Sequence, residues 1–320
     1  MTDTALPLVI LTGPTAVGKS ELSLSLAKAI DGEIISADSM QVYRGMDVGS
    51  AKLMPSEQQG VPHHLLDILN PEEEFNVVLF QRLAAQAVRD ICQRGHIPIV
   101  TGGTGFYIQA LLYDIDFTEN DEDTSFRSGL EDLAAKEGAD VLYQRLLAVD
   151  PKACETIHKN NVKRVIRALE FYEKTGQRIS EHNESQRQNQ SPYRFAYFVL
   201  NDERSALYSR IDRRVDQMLE NGLEAEVRRL AAQGCTKDLV SMQGLGYKEM
   251  LAYLNGELSL EEAVYIIKRD TRHFAKRQLT WFRRERDVIW LEKEQYQHDD
   301  NLILAYMLDV LNTKGIWLRA

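Results

Sequence analysis

The chain has 320 residues, of which 44% are hydrophobic, and its 48 acidic side chains outnumber its 38 lysines and arginines, giving a formal net charge of −10. This length predicts two domains, or one domain with an insertion. No apolar run approaches the ~18 residues that cross a membrane, and no signal region precedes the first apolar strand, so we expect a cytoplasmic protein with no membrane partner. The net charge alone argues against a nucleic-acid partner, but a local basic stripe can still bind one.

A glycine-rich loop near the start of the chain is its most specific local pattern. The apolar run 6–11 predicts a strand, and Leu22, Leu26 and Ile30 recur at helical spacing after it. Between strand and helix lie Gly13, Pro14, Thr15, Ala16, Val17, Gly18, Lys19 and Ser20. Such a loop forms a nest of N–H groups at a helix N-terminus, where the lysine adds a charge and the serine hydroxyl binds Mg²⁺. The pattern predicts a phosphate site but does not identify the phosphate compound.

Two further segments are predicted to end at the same edge of the sheet. The short strand 33–37 runs into Asp38, and the strand 97–101 is followed by a second glycine turn that contains Thr104. Strands that alternate with helices predict a parallel sheet, and ligands bind beyond the carboxyl ends of such strands. Asp38 and Thr104 are therefore candidates for chemistry beside the loop, although Asp38 by itself could equally cap a turn.

The character of the sequence changes at residue 114. An acidic connection runs to Asp123, every periodic segment after it is helical, and strand character returns only at 195–200. We therefore predict an α/β protein with a P-loop parallel sheet flanked by helices in residues 1–113 and 194–320. An all-helical insertion is predicted to occupy residues 114–193.

Basic side chains cluster at three places. One helix of the predicted insertion carries Lys163, Arg164 and Arg167, and a second group follows the strand 195–200, where P-loop kinases commonly keep arginines that clamp phosphate. The second group comprises Arg204, Arg210, Arg213 and Arg214. Either group could also be an ordinary solvated face.

The third cluster lies on a long helix predicted over 260–286. Ile267, Phe274 and Trp281 fall on one side of this helix and predict its buried face. The opposite side carries Arg269, Arg272, Lys276 and Arg283. An ordinary exposed face would interleave acidic residues among these cations, so we interpret the stripe as a surface that follows a phosphodiester backbone.

Six sequence blocks, taken in order, resemble the tRNA dimethylallyltransferase (isopentenyl-tRNA transferase) family. They are Gly-Pro-Thr-Ala-Val-Gly-Lys-Ser at 13–20, Ala-Asp-Ser-Met-Gln-Val-Tyr-Arg-Gly-Met-Asp at 37–47, Gly-Gly-Thr-Gly-Phe-Tyr at 102–107, Val-Lys-Arg-Val-Ile-Arg-Ala-Leu-Glu at 162–170, Gly-Leu-Gly-Tyr-Lys-Glu at 244–249 and Lys-Arg-Gln-Leu-Thr-Trp-Phe-Arg at 276–283. The resemblance covers nearly the whole chain; only the acidic connection and the last helix lack a counterpart.

The resemblance implies transfer of a dimethylallyl group from dimethylallyl diphosphate to N6 of the adenosine at position 37 of a tRNA. In that family the loop 13–20 holds the diphosphate of an isoprenoid in place of ATP, with Mg²⁺ on Ser20. Asp38 matches the catalytic base, Thr104 a residue that orients the adenosine, and Arg214 an arginine that contacts the diphosphate. Lys19 and Ser20 then act in catalysis as well as binding, because they stabilise the leaving group.

The resemblance also implies where tRNA binds, with the anticodon stem-loop as the partner and no protein partner indicated. The implied tRNA contacts, including the helix stripe, are Asp38, Ser39, Met40, Gln41, Thr104, Arg127, Lys163, Arg164, Arg167, Gln243, Gly244, Gly246, Tyr247, Lys248, Arg272, Lys276 and Arg277.

Three other functions fit parts of the sequence. An ATP-dependent small-molecule kinase would use the loop, Asp38 and the arginines, but would leave the basic stripe and the insertion without a role. A nucleotide-dependent RNA-binding switch would leave Asp38 and Thr104 idle. An adenylate dimethylallyltransferase would share the diphosphate chemistry, but the insertion and the stripe favour tRNA over AMP.

Overall fold

A six-stranded sheet carries the glycine-rich loop, in a computed structural model that describes residues 5–117, 125–186 and 188–318. The strands are β1 (Leu6–Thr12), β2 (Gly32–Ala37), β3 (His63–His64), β4 (Ile97–Gly102), β5 (Tyr193–Asn201) and β6 (Val288–Glu292). Their order across the sheet is β3-β2-β4-β1-β5-β6, and every neighbouring pair is parallel. The predicted α/β class with a parallel sheet is confirmed.

Helices connect these strands and extend beyond them. In chain order they are α1 (Lys19–Ile30), α2 (Val77–Gln93), α3 (Gly105–Leu112), α4 (Ser125–Glu137), α5 (Ala139–Val149), α6 (Pro151–Cys154), α7 (Val162–Thr175), α8 (Ile179–Gln186), α9 (Arg204–Glu220), α10 (Leu223–Ala232), α11 (Tyr247–Leu254), α12 (Leu260–Phe282) and α13 (Asp300–Thr313). No helix within the described ranges is long and apolar enough to cross a membrane.

The register of the sheet brings three strand ends together. Thr12 at the end of β1 and Ala37 at the end of β2 both pair with Gly102 at the end of β4. The middle of β1 is a run of apolar residues that are at most 1% exposed, as expected of a parallel strand covered on both faces. The glycine-rich loop, Asp38 and the second glycine turn therefore leave the sheet side by side.

The chain divides into two compact units, one of residues 1–112 and 192–320 and the other of residues 113–191. The boundaries expected from the sequence, 114 and 193, lie close to these. In the second unit, the described residues form helices around a core that includes Leu142, Leu146 and Val165. Most of the predicted acidic connection, residues 118–124, lies outside the described residues.

Two local expectations differ from the structure. His63 and His64 form the edge strand β3 beside β2, which the sequence did not predict, and His64 Nε2 lies 2.6 Å from the Glu33 carboxylate.

On α12 the buried residues are Ala263, Ile267, Ala275, Gln278 and Phe282, whereas Phe274 and Trp281 are only half-buried. The buried face differs from the prediction because α12 packs against α3, α9 and α11 instead of one flat surface.

Candidate active site

The loop between β1 and α1 has the geometry of an anion cradle. Gly18 at the N-cap of α1 has φ +100°, a left-handed conformation that favours glycine. Lys19 begins the helix, and its Nζ donates to the carbonyl oxygens of Gly13 at 3.0 Å and Pro14 at 2.7 Å. The lysine is thereby held over the loop, next to the positive end of the dipole of α1, where an anion is favoured.

Lys19 lies near one cation, Arg214, and one carboxylate, Asp38. Burial and the nearby charge of Arg214 lower the pKa of Lys19 to about 7, against the opposing effect of Asp38. Burial also lowers the pKa of Arg214, again opposed by Asp38. These three side chains are therefore close enough to interact electrostatically. An anion bound in the loop would compensate the two positive charges, which is what an anion site requires.

Two of the other predicted arginines are engaged elsewhere. Arg210 donates to the carbonyl oxygen of Ala16 at 3.0 Å and to the Asp202 carboxylate at 2.5 Å, so it supports the loop from outside. The guanidinium of Arg204 lies over the Tyr208 ring, 5.0 Å from its centroid. Arg213 is exposed, and Arg214 is the arginine of α9 whose charge acts on Lys19 beside the loop.

Asp38 is half-buried directly after β2. Its Oδ1 accepts a hydrogen bond from the Met40 N–H at 2.8 Å, so the turn-capping role considered from the sequence is real. Thr104 is held beside it, because the Thr104 N–H donates to the Ala37 carbonyl at 3.2 Å. Capping uses one carboxylate oxygen, and Asp38 retains the acceptor capacity of Oδ2 for another proton donor.

Gln278 of α12 joins the two glycine loops, a connection that the sequence did not predict. Its Oε1 accepts from the Thr15 N–H at 2.9 Å, and its Nε2 donates to the Gly103 carbonyl at 3.0 Å. The side chain is 7% exposed. A signal was present in the sequence, since Gln278 is a polar residue four positions before the buried Phe282, on the same face of the helix.

Tyr247 is placed differently from its predicted role in tRNA binding. Its side chain is 0% exposed, and its hydroxyl donates to Glu226 at 2.8 Å. The same carboxylate accepts the N–H groups of Asp47, Val48 and Gly49 at 2.8 to 3.0 Å. The structure therefore gives the Tyr247 side chain a structural role, because it is enclosed where RNA cannot contact it.

The other predicted residues of the segments 39–41 and 243–248 lie close together. A Cβ on Gly244 would come within 2.5 Å of Met40 Cε, so the two segments are in contact. Gln243 and Lys248 are exposed, Ser39 is half-buried, and Gly246 is buried. Both ends of the Gln41 amide are engaged internally, the oxygen with Ser36 and the nitrogen with Ser50 and Ala51.

The cations of α12 differ in their pairing. Arg272 Nη1 donates to Asp212 Oδ1 at 2.5 Å, so the prediction of a free phosphate contact at Arg272 is not supported. Lys276 and Arg277 are exposed and form no salt bridge with any described residue. A shallow depression of about 360 Å³ is lined by His273, Lys276, Arg277, Thr280, Trp281 and Arg284. The basic surface is thus centred on the C-terminal half of the helix.

The helical unit has its own basic face. Lys163, Arg164 and Arg167 of α7 are exposed. Arg127 of α4 is paired with Glu170, Nη2 to Oε2 at 2.6 Å, and its side chain stays 40% exposed. The pairing reduces what the guanidinium can offer an RNA phosphate, but its exposed part stays accessible.

A parallel sheet with a glycine-rich loop after β1, a carboxylate after β2, which β4 separates from β1, and basic side chains near the loop is typical of a P-loop enzyme that acts on a phosphate compound. A family model described as IPP transferase matches residues 41–285, and a second, described as isopentenyl transferase, matches residues 6–71. The chain belongs to the IPP transferase family, which confirms the resemblance found in the sequence.

Similar proteins extend over nearly the whole chain. A tRNA dimethylallyltransferase of Lachnoclostridium phytofermentans is 62% identical over 97% of this chain and 99% of its own length. That of Carboxydothermus hydrogenoformans is 52% identical over 89% of this chain and 91% of its own.

Solved structures give the same relationship. The full-length tRNA isopentenylpyrophosphate transferase of Bacillus halodurans is 43% identical with a TM-score of 0.72, covering 97% of this chain and 98% of that one. A eukaryotic dimethylallyltransferase acting on tRNA is 32% identical with a TM-score of 0.78, covering 89% of this chain and 73% of that one.

Proposed function

We propose that this protein transfers a dimethylallyl group from dimethylallyl diphosphate to N6 of the adenosine at position 37 of tRNA and releases diphosphate. Its relatives are named tRNA dimethylallyltransferases, and the protein is accordingly a tRNA-prenylating enzyme. The observation that carries the detailed proposal is the convergence of the anion cradle with Asp38, since Lys19 interacts electrostatically with both Arg214 and Asp38.

The cradle acts on the leaving group. As the bond between C1 of the dimethylallyl group and the diphosphate oxygen breaks, negative charge grows on that oxygen. The N–H groups at the start of α1, the Lys19 ammonium and the Arg214 guanidinium stabilise this charge. Removal of a single such donor typically lowers a rate by about 10²–10³-fold. These residues therefore contribute to the chemical step and not only to binding.

Asp38 acts on the nucleophile. The N6 amino group is a poor nucleophile because its lone pair is delocalised into the adenine ring. As the N6–C1 bond forms, one N6 proton passes to the Asp38 carboxylate, while Oδ1 remains held by the Met40 N–H. Thr104, fixed by its N–H on the Ala37 carbonyl, orients the adenosine toward this carboxylate.

A magnesium ion fits the residues present. Ser20 is exposed in the first turn of α1, and the described residues contain no cluster of three or more His, Cys, Asp or Glu side chains that could form a protein cage for a metal. Mg²⁺ is commonly held by one protein oxygen, substrate phosphate oxygens and water. Ser20 would supply that oxygen. When bound, the ion would neutralise charge on the diphosphate.

Each unit carries exposed basic side chains that would contact phosphates of the tRNA. The exposed cations Lys163, Arg164 and Arg167 on α7, and Lys276 and Arg277 on α12, are suited to phosphate contacts. The target adenosine must leave the anticodon stack to reach Asp38, at a cost of a few kcal/mol that these contacts offset. Net charge alone hides this role, because it averages these local groups over the whole chain.

Reconstitution with purified components tests the proposal. With Mg²⁺, dimethylallyl diphosphate and unmodified tRNA, we expect N6-dimethylallyladenosine in the tRNA and release of one diphosphate per transfer, measured by mass spectrometry of the nucleosides. Chelation of Mg²⁺ should abolish turnover. Alkylation of AMP in place of tRNA would favour an adenylate dimethylallyltransferase, and ATP turnover with a small alcohol and no tRNA alkylation would favour a kinase.

The salt dependence of RNA binding tests the basic surface of α12. Replacing Lys276 and Arg277 by alanine should flatten the plot of log affinity for the anticodon stem-loop against log salt by about 0.7–0.9 for each phosphate that the variant no longer neutralises. Arg272→Ala should change the slope little, because the guanidinium is already bound to Asp212. The double variant Arg82→Ala, Arg89→Ala on α2 removes two exposed positive charges as well and controls for net charge. An unchanged slope in the variant of Lys276 and Arg277 would mean that this face is merely solvated.

A further inference from the structure

Helix α12 reaches the anion cradle through one side chain. The carboxamide of Gln278 fills the space between the loop after β1 and the turn after β4, and it binds the Thr15 N–H and the Gly103 carbonyl at 2.9 Å and 3.0 Å. The fit at Gly103 is close, since a Cβ there would lie 2.1 Å from Gln278 Nε2. The two loops are therefore held at a spacing set by α12.

The chemistry of the carboxamide matters to this contact. It accepts from one loop and donates to the other at the same time, which neither an ionised carboxylate nor a thioether can do. Thr15 lies in the glycine-rich loop, and its N–H points to Gln278 instead of the nest. A movement of Gln278 would therefore release a loop N–H and change the set of donors that meets a bound diphosphate.

The same helix carries the basic surface proposed for RNA. Lys276 and Arg277 precede Gln278 directly and are exposed. Trp281, one turn further on, packs on the second glycine turn, where a Cβ on Gly105 would lie 2.3 Å from the indole Cδ1. A helix is a rigid element, so a displacement of α12 caused by a ligand on Lys276 and Arg277 would also displace Gln278 and Trp281, which contact the glycine loops.

We propose that Gln278 is a positioning residue that couples tRNA binding on α12 to diphosphate binding in the loop 13–20. The inference rests on the proposed function, because it takes the ligands of the two sites to be a tRNA and a diphosphate. RNA bound to Lys276 and Arg277 fixes α12, and Gln278 transmits that position to Thr15 and Gly103. The cradle then adopts its productive spacing when the substrate RNA is present.

Binding measurements test this coupling. The affinity for inorganic diphosphate with Mg²⁺ is measured by calorimetry with and without saturating unmodified tRNA. In the wild-type protein we expect saturating RNA to change the dissociation constant for diphosphate about fivefold or more. Saturating diphosphate should change the dissociation constant for RNA by the same factor. In Gln278→Met, which keeps the length of the side chain and removes both hydrogen bonds, the factor should fall to about one. Its kcat should fall about tenfold or more, whereas its affinity for tRNA in the absence of diphosphate should be nearly unchanged.

A matched variant separates positioning from general loosening of the fold. Gln81 of α2 is half-buried, and its Nε2, like that of Gln278, donates to a backbone carbonyl, that of Ala110, at 3.0 Å. Gln81→Met should keep the wild-type coupling factor. Should Gln278→Met fail to fold, Gln278→Glu keeps the acceptor for the Thr15 N–H and loses the donor to Gly103, so it should reduce the factor.

Two results would overturn the proposal: a coupling factor near one in the wild-type protein, or a wild-type factor in a folded Gln278 variant. Because both measurements use inorganic diphosphate and RNA binding alone, they do not depend on turnover. Failure of the wild-type protein to alkylate tRNA would count against the proposed function, and the coupling factor would still be measurable.

Discussion

Asp38→Asn is expected to lower kcat for tRNA alkylation by about 10³-fold, within the 10²–10⁴-fold range typical of a general base. The asparagine oxygen can still accept the Met40 N–H that Asp38 Oδ1 accepts at 2.8 Å, so the turn should survive. What is lost is the ability to take the N6 proton. The affinity for tRNA should stay within a few-fold of wild type. Single-turnover alkylation and equilibrium binding of the anticodon stem-loop measure the two quantities separately.

Two further variants serve as controls. One removes a carboxylate far from the site, and the other removes both the Asp38 carboxylate and the acceptor that holds its turn. Asp31→Asn changes an exposed carboxylate at the end of α1 in a left-handed conformation that asparagine tolerates, and it should leave turnover unchanged. Asp38→Ala removes the base and the turn acceptor together, and it should also abolish turnover. Equal losses of turnover and tRNA affinity in Asp38→Asn would show that Asp38 is structural.

Lys19→Met is expected to lower kcat by about 10²–10³-fold and to weaken diphosphate binding. The methionine keeps the length of the side chain but removes the charge and the hydrogen bonds to the carbonyls of Gly13 and Pro14. The affinity for tRNA should not change, because the lysine lies in the loop and not on the basic surfaces. Calorimetry with inorganic diphosphate and single-turnover alkylation measure the effects.

A lysine on the same helix provides the matched control. Lys28 is exposed near the end of α1 and bonds to Gln59, so Lys28→Met makes the same change of charge away from the loop. It should retain wild-type turnover and diphosphate affinity. If Lys19→Met retained turnover within about threefold, Lys19 would serve only to shape the loop, and the stabilisation of the leaving group would have to come from other donors.

Much of the sheet could be predicted because its signals are local. The apolar run of β1, the loop pattern from Gly13 to Ser20 and the periodicity of α1 each depend on residues near one another in the chain. These signals and the alternation of strands and helices predicted the parallel sheet. They also placed Asp38 and Thr104 at the edge formed by the carboxyl ends of the strands, where the structure has them. The strand β3 was missed because two residues carry no periodicity.

The partners of individual side chains could not be predicted, since they come from distant parts of the chain. The pairing of Arg272 with Asp212 depends on the packing of α12 against α9. The burial of Tyr247 depends on Glu226 of α10, which also binds the loop 47–49. Arginine and tyrosine are both residue types that can contact RNA. Only the contacts in the folded protein show that these two side chains are already bound to carboxylates.

The sequence by itself determined the fold class, the position of the glycine-rich loop and the family, because these follow from short patterns and their order along the chain. Only the tertiary structure decided which arginine of α9 interacts with Lys19, that Arg272 of α12 is paired, and that Gln278 joins the two glycine loops. The physical reason is that the energy of a charge or a buried amide depends on the groups within a few ångströms of it. Those groups are brought together by packing across the sheet edge, from residues as far apart as Thr15 and Gln278.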